Sequence, residues 1–237
     1  SGKNLGYGNG NNFGLKKIKT RFVLILNPDI LCDKNLFKNI SKFMKKKINF
    51  HIVGCQYVKD KVFMPAGFFD KHKNEEFREK FKKKIFKDLT NVDWVTGCSM
   101  LIDMSKFNNK IIFDKNYFLY FEETDLCKTI LKKGGKIFTN REFKVHHLGF
   151  KSSLDNNSKN KVNIIREWHW MWSSFYFYKK HNNFLFACNK LKGKFLKSFI
   201  KMIIYSLIFN KNSKEKYKNR FLGLLNSLLN KSAHFRG

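Results

Sequence analysis

Residues Arg21 to Leu26 (RFVLIL) form a short continuous apolar run that stops at Asn27-Pro28-Asp29. A run of this length bounded by a proline turn reads as a buried strand, because proline has no N–H to continue a ladder. The next segment, Asp33 to Lys46, places Leu36, Phe37, Ile40, Phe43 and Met44 at helical spacing, and His51–Tyr57 reads as another strand. Strand followed by helix followed by strand implies an α/β sheet with helices packed against it. The pattern continues with the apolar stretch WVTGCSMLID from Trp94 and a strand over Tyr117–Phe121 (YFLYF). A helix is expected over Glu123–Lys133, closed by Gly134-Gly135, and a strand end at Lys144–Leu148 (KVHHL). Lys71–Lys87 reads as charged surface helix and loop, and Asn4–Gly14 (NLGYGNGNNFG) as a loop by its Gly/Asn content.

Past Ser153 the character changes. Asp155–Lys161 is polar and linker-like; an aromatic segment, Glu167 to Tyr178, and a lysine-spiked apolar run, Phe195 to Phe209, follow. Two regions are expected, 1–153 and 154–237. The apolar run is interrupted by Lys197 and Lys201 and falls short of the ~20 residues a spanning helix needs. With lysines at 190, 192, 194, 211 and 214 it reads as a helix lying on an anionic membrane surface. Trp168, Trp170, Trp172, Tyr176 and Tyr178 are the residue types that settle at a lipid headgroup boundary. The bland reading is that both segments are ordinary core.

The formal charge of +30 invites a nucleic-acid reading. Six arginines supply little of it, and arginine is the residue suited to bidentate phosphate and base recognition. The lysine excess fits a solvated surface facing anionic lipid, so no nucleic acid is expected. The five cysteines are scattered without a C-x-x-C pair, which argues for a reducing compartment. No signal peptide is visible, and the sequence begins without Met inside a Gly/Asn-rich stretch.

Three polar clusters fall at expected strand ends: Asn27 and Asp29 after RFVLIL, Glu122, Glu123 and Asp125 after YFLYF, and His146 and His147 ending KVHHL. In open α/β sheets ligands bind outside the carboxyl ends of the strands. Carboxylates and an imidazole meeting there can hold a hard divalent cation and leave one acid as a base. Singly the signals are weak: Asn-Pro-Asp is a common turn, acids at a helix start favour its dipole, which alone accounts for Asp125, and adjacent strand histidines face opposite sides.

The order FVLILNPD, WVTGCSMLID, FLYFEETDLC, VHHLGFKSS is similar to the family 2 glycosyltransferases of GT-A type, above all their rhamnosyltransferase-like branch. SSFYFYKKHNN and SAHFRG also resemble that branch. The resemblance implies a Rossmann-like mixed sheet with helices on both faces, incomplete at its N-terminus, plus a helical C-terminal tail. A strand–helix–strand unit gripping the nucleoside is expected ahead of Ser1, and without it the chain is expected to be inactive alone. The implied activity is metal-dependent, inverting transfer of a sugar, rhamnose in that branch, from a nucleotide-sugar donor. The acceptor would be a growing or lipid-linked cell-surface glycan at the cytoplasmic membrane face. It also implies roles: Asp29 binds Mg²⁺ or Mn²⁺, with Asn27 beside it at the donor diphosphate and His147 completing the site. Thr96, Gly97 and Cys98 lie beside the donor, and Glu123, or its neighbour Glu122, is the general base. The rival readings are a basic nucleic-acid-binding protein and a non-catalytic relative.

Overall fold

The computed structural model describes residues 2–57, 65–83, 85, 87–148 and 156–236. The elements run α1 (Tyr7–Lys17), β1 (Phe22–Leu26), β2 (Ile30–Cys32), α2 (Leu36–Lys45), β3 (Ile52–Tyr57), β4 (Ala66–Gly67), α3 (Lys71–Lys82), β5 (Leu89–Asn91), β6 (Trp94–Val95), β7 (Ser99–Asp103), α4 (Glu122–Lys132), β8 (Ile137–His147), α5 (Asn156–His181), α6 (Phe184–Leu207) and α7 (Lys211–Leu228). The fold is mixed α/β. Its contacts divide the chain into two compact units, one of Asn11–Phe113 with Glu123–Lys151, the other of Ser1–Gly10, Asp114–Glu122 and Ser152–Gly237. The boundary expected after Ser153 lies outside the described residues.

The first unit carries a mixed sheet in the order β1-β7-β3-β8-β2, with β5 pairing β8, and a small β4-β6 ribbon. β1 and β3 both run antiparallel to β7, and β8 runs parallel to β3. The carboxyl ends of β1, β3 and β8 therefore share one edge, and β7 starts from that edge. α2 covers the sheet because Leu36 and Phe43 fall on one helical stripe; both are buried with Phe50, Val53, Phe143 and Val145. Phe43 sits 5.4 Å from both Phe50 and Phe143, ring centre to ring centre. Burying such a side chain is worth about 2 kcal/mol, so this cluster is what fixes α2 on the strands. α4 stops where expected, Gly134 taking φ 74° just past its end. Val23, Leu24 and Leu26 of β1 are only half-buried, less enclosed than their apolar run suggests.

Two local expectations fail. The Gly/Asn segment is helical from Tyr7, although both residue types are weak helix formers. Long-range bonds compensate: Asn12 Nδ2 donates to the Phe113 carbonyl at 2.8 Å, and its Oδ1 accepts from the N–H groups of Ile112 and Phe113. Tyr117–Phe121 is not a strand. Tyr120 and Phe121 take φ of 69° and 70°, in the left-handed region, and the carbonyls that would join a ladder go elsewhere. Tyr117 O accepts from Asn9 Nδ2, Phe118 O from Tyr7 N–H and Leu119 O from the Ser173 hydroxyl.

The second unit is built on α5, α6 and α7. The helix α5 starts at Asn156, so the polar stretch expected as linker is helical from there. Trp168, Met171, Trp172 and Phe175 recur at helical spacing and are buried, which corrects the headgroup reading for both tryptophans. Gly223 of α7 meets the backbone of α5: a Cβ there would fall 2.2 Å from the Trp168 carbonyl oxygen, so only glycine permits this crossing. Tyr176 donates its hydroxyl to Asp114, which also pairs with Lys180 at 2.7 Å. On α6 Ala187, Leu191 and Ser198 face inward, while Leu196, Phe199, Ile200, Ile203, Ile204 and Leu207 are exposed. No described helix is long and apolar enough to cross a membrane.

Candidate active site

The turn Thr96-Gly97-Cys98, between β6 and β7, joins the clusters at the sheet edge. Its Cys98 carbonyl accepts from the Asn27 N–H at 2.9 Å. That bond extends the β1–β7 ladder, in which Leu26 pairs with Ser99, by one step past the strand ends. The Asn27 carbonyl then accepts from the Ile30 N–H at 3.1 Å, closing a turn around Pro28 and Asp29. The Asp29 carbonyl accepts from the Leu148 N–H at 2.9 Å, and Ile30 pairs with His147 in the β2–β8 ladder. Asn27, Asp29 and the backbone of His147 are thus neighbours on one hydrogen-bonded rim. Thr96 is fixed from the other side, its N–H donating to the Pro65 carbonyl.

Glu123 reaches the same turn. Its half-buried carboxylate accepts backbone hydrogen bonds from Gly97 and from the first turn of α4, through its own N–H and that of Thr124. Burial nevertheless dominates and raises its pKa above the ordinary carboxylate value, because those bonds only partly replace the lost water. Glu123 follows a left-handed turn rather than a strand. The N-terminal acid of α4, Glu123, lies against Gly97. Glu122 and Asp125 are buried.

Of the two adjacent histidines, His146 lies opposite Leu31 in the ladder and its Nε2 is 3.9 Å from the Asp33 carboxylate. The His147 side chain lies outside the described residues, as do Phe150, Ser152 and Ser153 of the HLGFKSS stretch. Among the described residues no three His, Cys, Asp or Glu side chains cluster as a metal site. The residues that sequence reasoning missed are Pro65 and Asn12. Each acts through long-range backbone bonding, which leaves no local signal.

Over 154 aligned positions the chain is 26% identical to rhamnosyltransferase WbbL of Escherichia coli strain K12. Over that stretch the chain is similar to a rhamnosyltransferase. The match covers 58% of this chain and 58% of the relative, so the chain spans little more than half the length of the curated protein it matches. No family model matches the sequence. Among solved structures, mannosyltransferase PcManGT from Pyrobaculum calidifontis, in complex with GDP-Man and Mn²⁺, superposes with a TM-score of 0.47 at 12% identity, covering 96% of this chain and 68% of its own.

Proposed function

We propose that the chain carries the chemistry of an inverting, metal-dependent glycosyltransferase that moves a sugar from a nucleotide-sugar donor to a growing cell-surface glycan. The observation that carries this reading is the hydrogen-bonded rim: one turn, Thr96-Gly97-Cys98, is bonded both to the Glu123 carboxylate and to the Asn27-Pro28-Asp29 turn. A base and a diphosphate-side acid are thereby fixed by backbone bonds rather than by mobile side chains, which suits a reaction that depends on positioning. In this reading Glu123 takes the proton of an acceptor hydroxyl as its oxygen bonds to the anomeric carbon. The bond from that carbon to the diphosphate breaks, and the diphosphate leaves with the electron pair. Attack from the face opposite the leaving group inverts the centre. Burial suits Glu123 to this work, since a raised pKa makes a carboxylate a stronger base.

The donor set fits a hard cation. The Asp29 carboxylate is chemically apt for Mg²⁺ or Mn²⁺, an imidazole from His147 would suit Mn²⁺ better than Mg²⁺, and such ions are commonly completed by substrate phosphates rather than by a full protein cage. When bound, the ion would neutralise charge developing on the diphosphate. The exposed α6 stripe with its flanking lysines supports docking on anionic lipid, at the cytoplasmic membrane face where a lipid-linked acceptor would be presented. A nucleic-acid role leaves the rim unused.

The test is nucleotide-sugar binding by the protein expressed from its complete reading frame, followed calorimetrically with Mn²⁺, with excess chelator, and with Asp29→Ala. Binding that needs the metal and weakens about tenfold or more in Asp29→Ala is expected, the loss of one charged ligand contact. Unchanged binding in chelator and in the variant would remove the metal site from this reading. Absence of any nucleotide-sugar binding would remove the donor.

A further inference from the structure

The helical unit contains a cleft of about 830 Å³ to which nothing above assigns a role. It lies among α5, the start of α7 and Tyr120, and its volume falls within the roughly 300–1,000 Å³ of small-molecule sites. Two aromatic side chains line it, Tyr120 and Trp170, meeting edge to face with ring centres 5.3 Å apart. Trp170 is 40% exposed, whereas Trp168 and Trp172 on the same helix are buried at 2% and 3%. The backbone works to place Tyr120 there. It and Phe121 both hold left-handed φ, a conformation non-glycine residues adopt only when the surroundings impose it. Phe121 packs on Trp170 as well, at 5.3 Å.

The polar lining is of a particular kind. Asn160, Asn163, Asn212 and Ser213 offer neutral donors and acceptors together. Glu167 is held by Arg220 and, at 3.4 Å, by Lys216, so these two cations are engaged with a fixed carboxylate. Arg166 and Lys211 also line the cleft and leave its charge net positive, so it admits acidic as well as neutral sugars, while the held carboxylate accepts hydrogen bonds from hydroxyl groups. An apolar indole face for ring C–H groups, amides in both polarities and a held carboxylate together match a chain of sugar rings.

We propose that this cleft binds the glycan acceptor, with a sugar ring stacked on Trp170 and its hydroxyls bonded by the asparagines and Glu167. The proposal rests on the sugar-transfer reading for the word acceptor, but the binding itself does not.

The probes are methyl glycosides of hexoses, 6-deoxyhexoses and N-acetylhexosamines, followed by saturation-transfer NMR on the full chain. Binding by at least one class is expected, lowered about tenfold in Trp170→Ala, a loss typical of one stacked aromatic, and largely restored in Trp170→Phe. Because Trp170 is exposed, the variant should keep its helical circular dichroism, and nucleotide-sugar binding should not change. If no glycoside binds, or if Trp170→Ala binds as well as the parent, the proposal is overturned while the donor reading stands. Glycoside binding that depends on Trp170 in a chain that takes no nucleotide sugar upholds the cleft and removes the transferase reading instead.

Discussion

The Glu123 carboxylate accepts a hydrogen bond from the backbone N–H of Gly97, two residues 26 positions apart in the chain. The bond matters because Gly97 belongs to the turn whose next carbonyl, that of Cys98, holds Asn27. A change at Glu123 is therefore reported to the Asn27-Pro28-Asp29 turn through only a few backbone bonds.

Glu123→Gln keeps an acceptor for the Gly97 N–H but cannot take a proton. Transfer should fall by about 100-fold or more while nucleotide-sugar binding holds, as expected for loss of a general base. The parent should also lose activity on the acid side at a pH above the ordinary carboxylate range, since burial raises the Glu123 pKa and protonation removes the base. Transfer rates against pH for parent, Glu123→Gln and Glu122→Gln decide it. A dead Glu122→Gln beside an active Glu123→Gln would move the role by one residue.

The α6 stripe predicts lipid binding that does not depend on the helical core. Ile200, Ile204 and Leu207 are 52%, 46% and 72% exposed, so replacing all three by Gln removes apolar surface without opening a cavity. Cutting the chain ahead of α6 would be a poorer test, because Leu191 is buried against its neighbours. Flotation with liposomes of rising anionic content should show binding by the parent that persists in part at high salt, and little by the triple variant. Equal flotation of both would place lipid contact elsewhere.

His169 should make the protein acid-sensitive. Its ring is fully buried, with Nε2 2.8 Å from the Phe235 carbonyl oxygen, so that nitrogen donates and the ring is neutral. Burial, partly offset by that bond and reinforced by Arg236 and His234, lowers its pKa to about 4. The unfolded chain takes up this proton near pH 6.5 and the folded one does not, so stability is lost as pH falls from 6.5 toward 4. The loss approaches about 3 kcal/mol at the lower end. Chemical denaturation across that range should show a steeper decline for the parent than for His169→Gln. Parallel curves would mean that the ring is not held neutral by the fold.

Much of the α/β unit was legible because its signals are local. The helical spacing of Leu36 and Phe43, the glycine after Lys133 and the apolar runs before Asn27 and after Thr96 each follow from neighbours within a few residues. The sequence by itself also singled out Asn27, Asp29, the Thr96-Gly97-Cys98 turn and Glu123, which the fold joins by backbone bonds on one rim. Tertiary structure alone decided the rest. Asn4–Gly14 reads as loop and Tyr117–Phe121 as strand because propensity counts only near neighbours. Bonds from Asn12 to Phe113 and from Ser173 to Leu119 cross more than 50 positions and outweigh it. The aromatic segment of α5 carries residue types suited equally to a membrane boundary and to a core. Only the packing of α7 through Gly223 onto Trp168, and of Tyr117 and the Lys231 carbonyl onto Trp172, settles that these two are interior and Trp170 is not, because burial is a property of what the chain brings alongside a residue rather than of the residue itself.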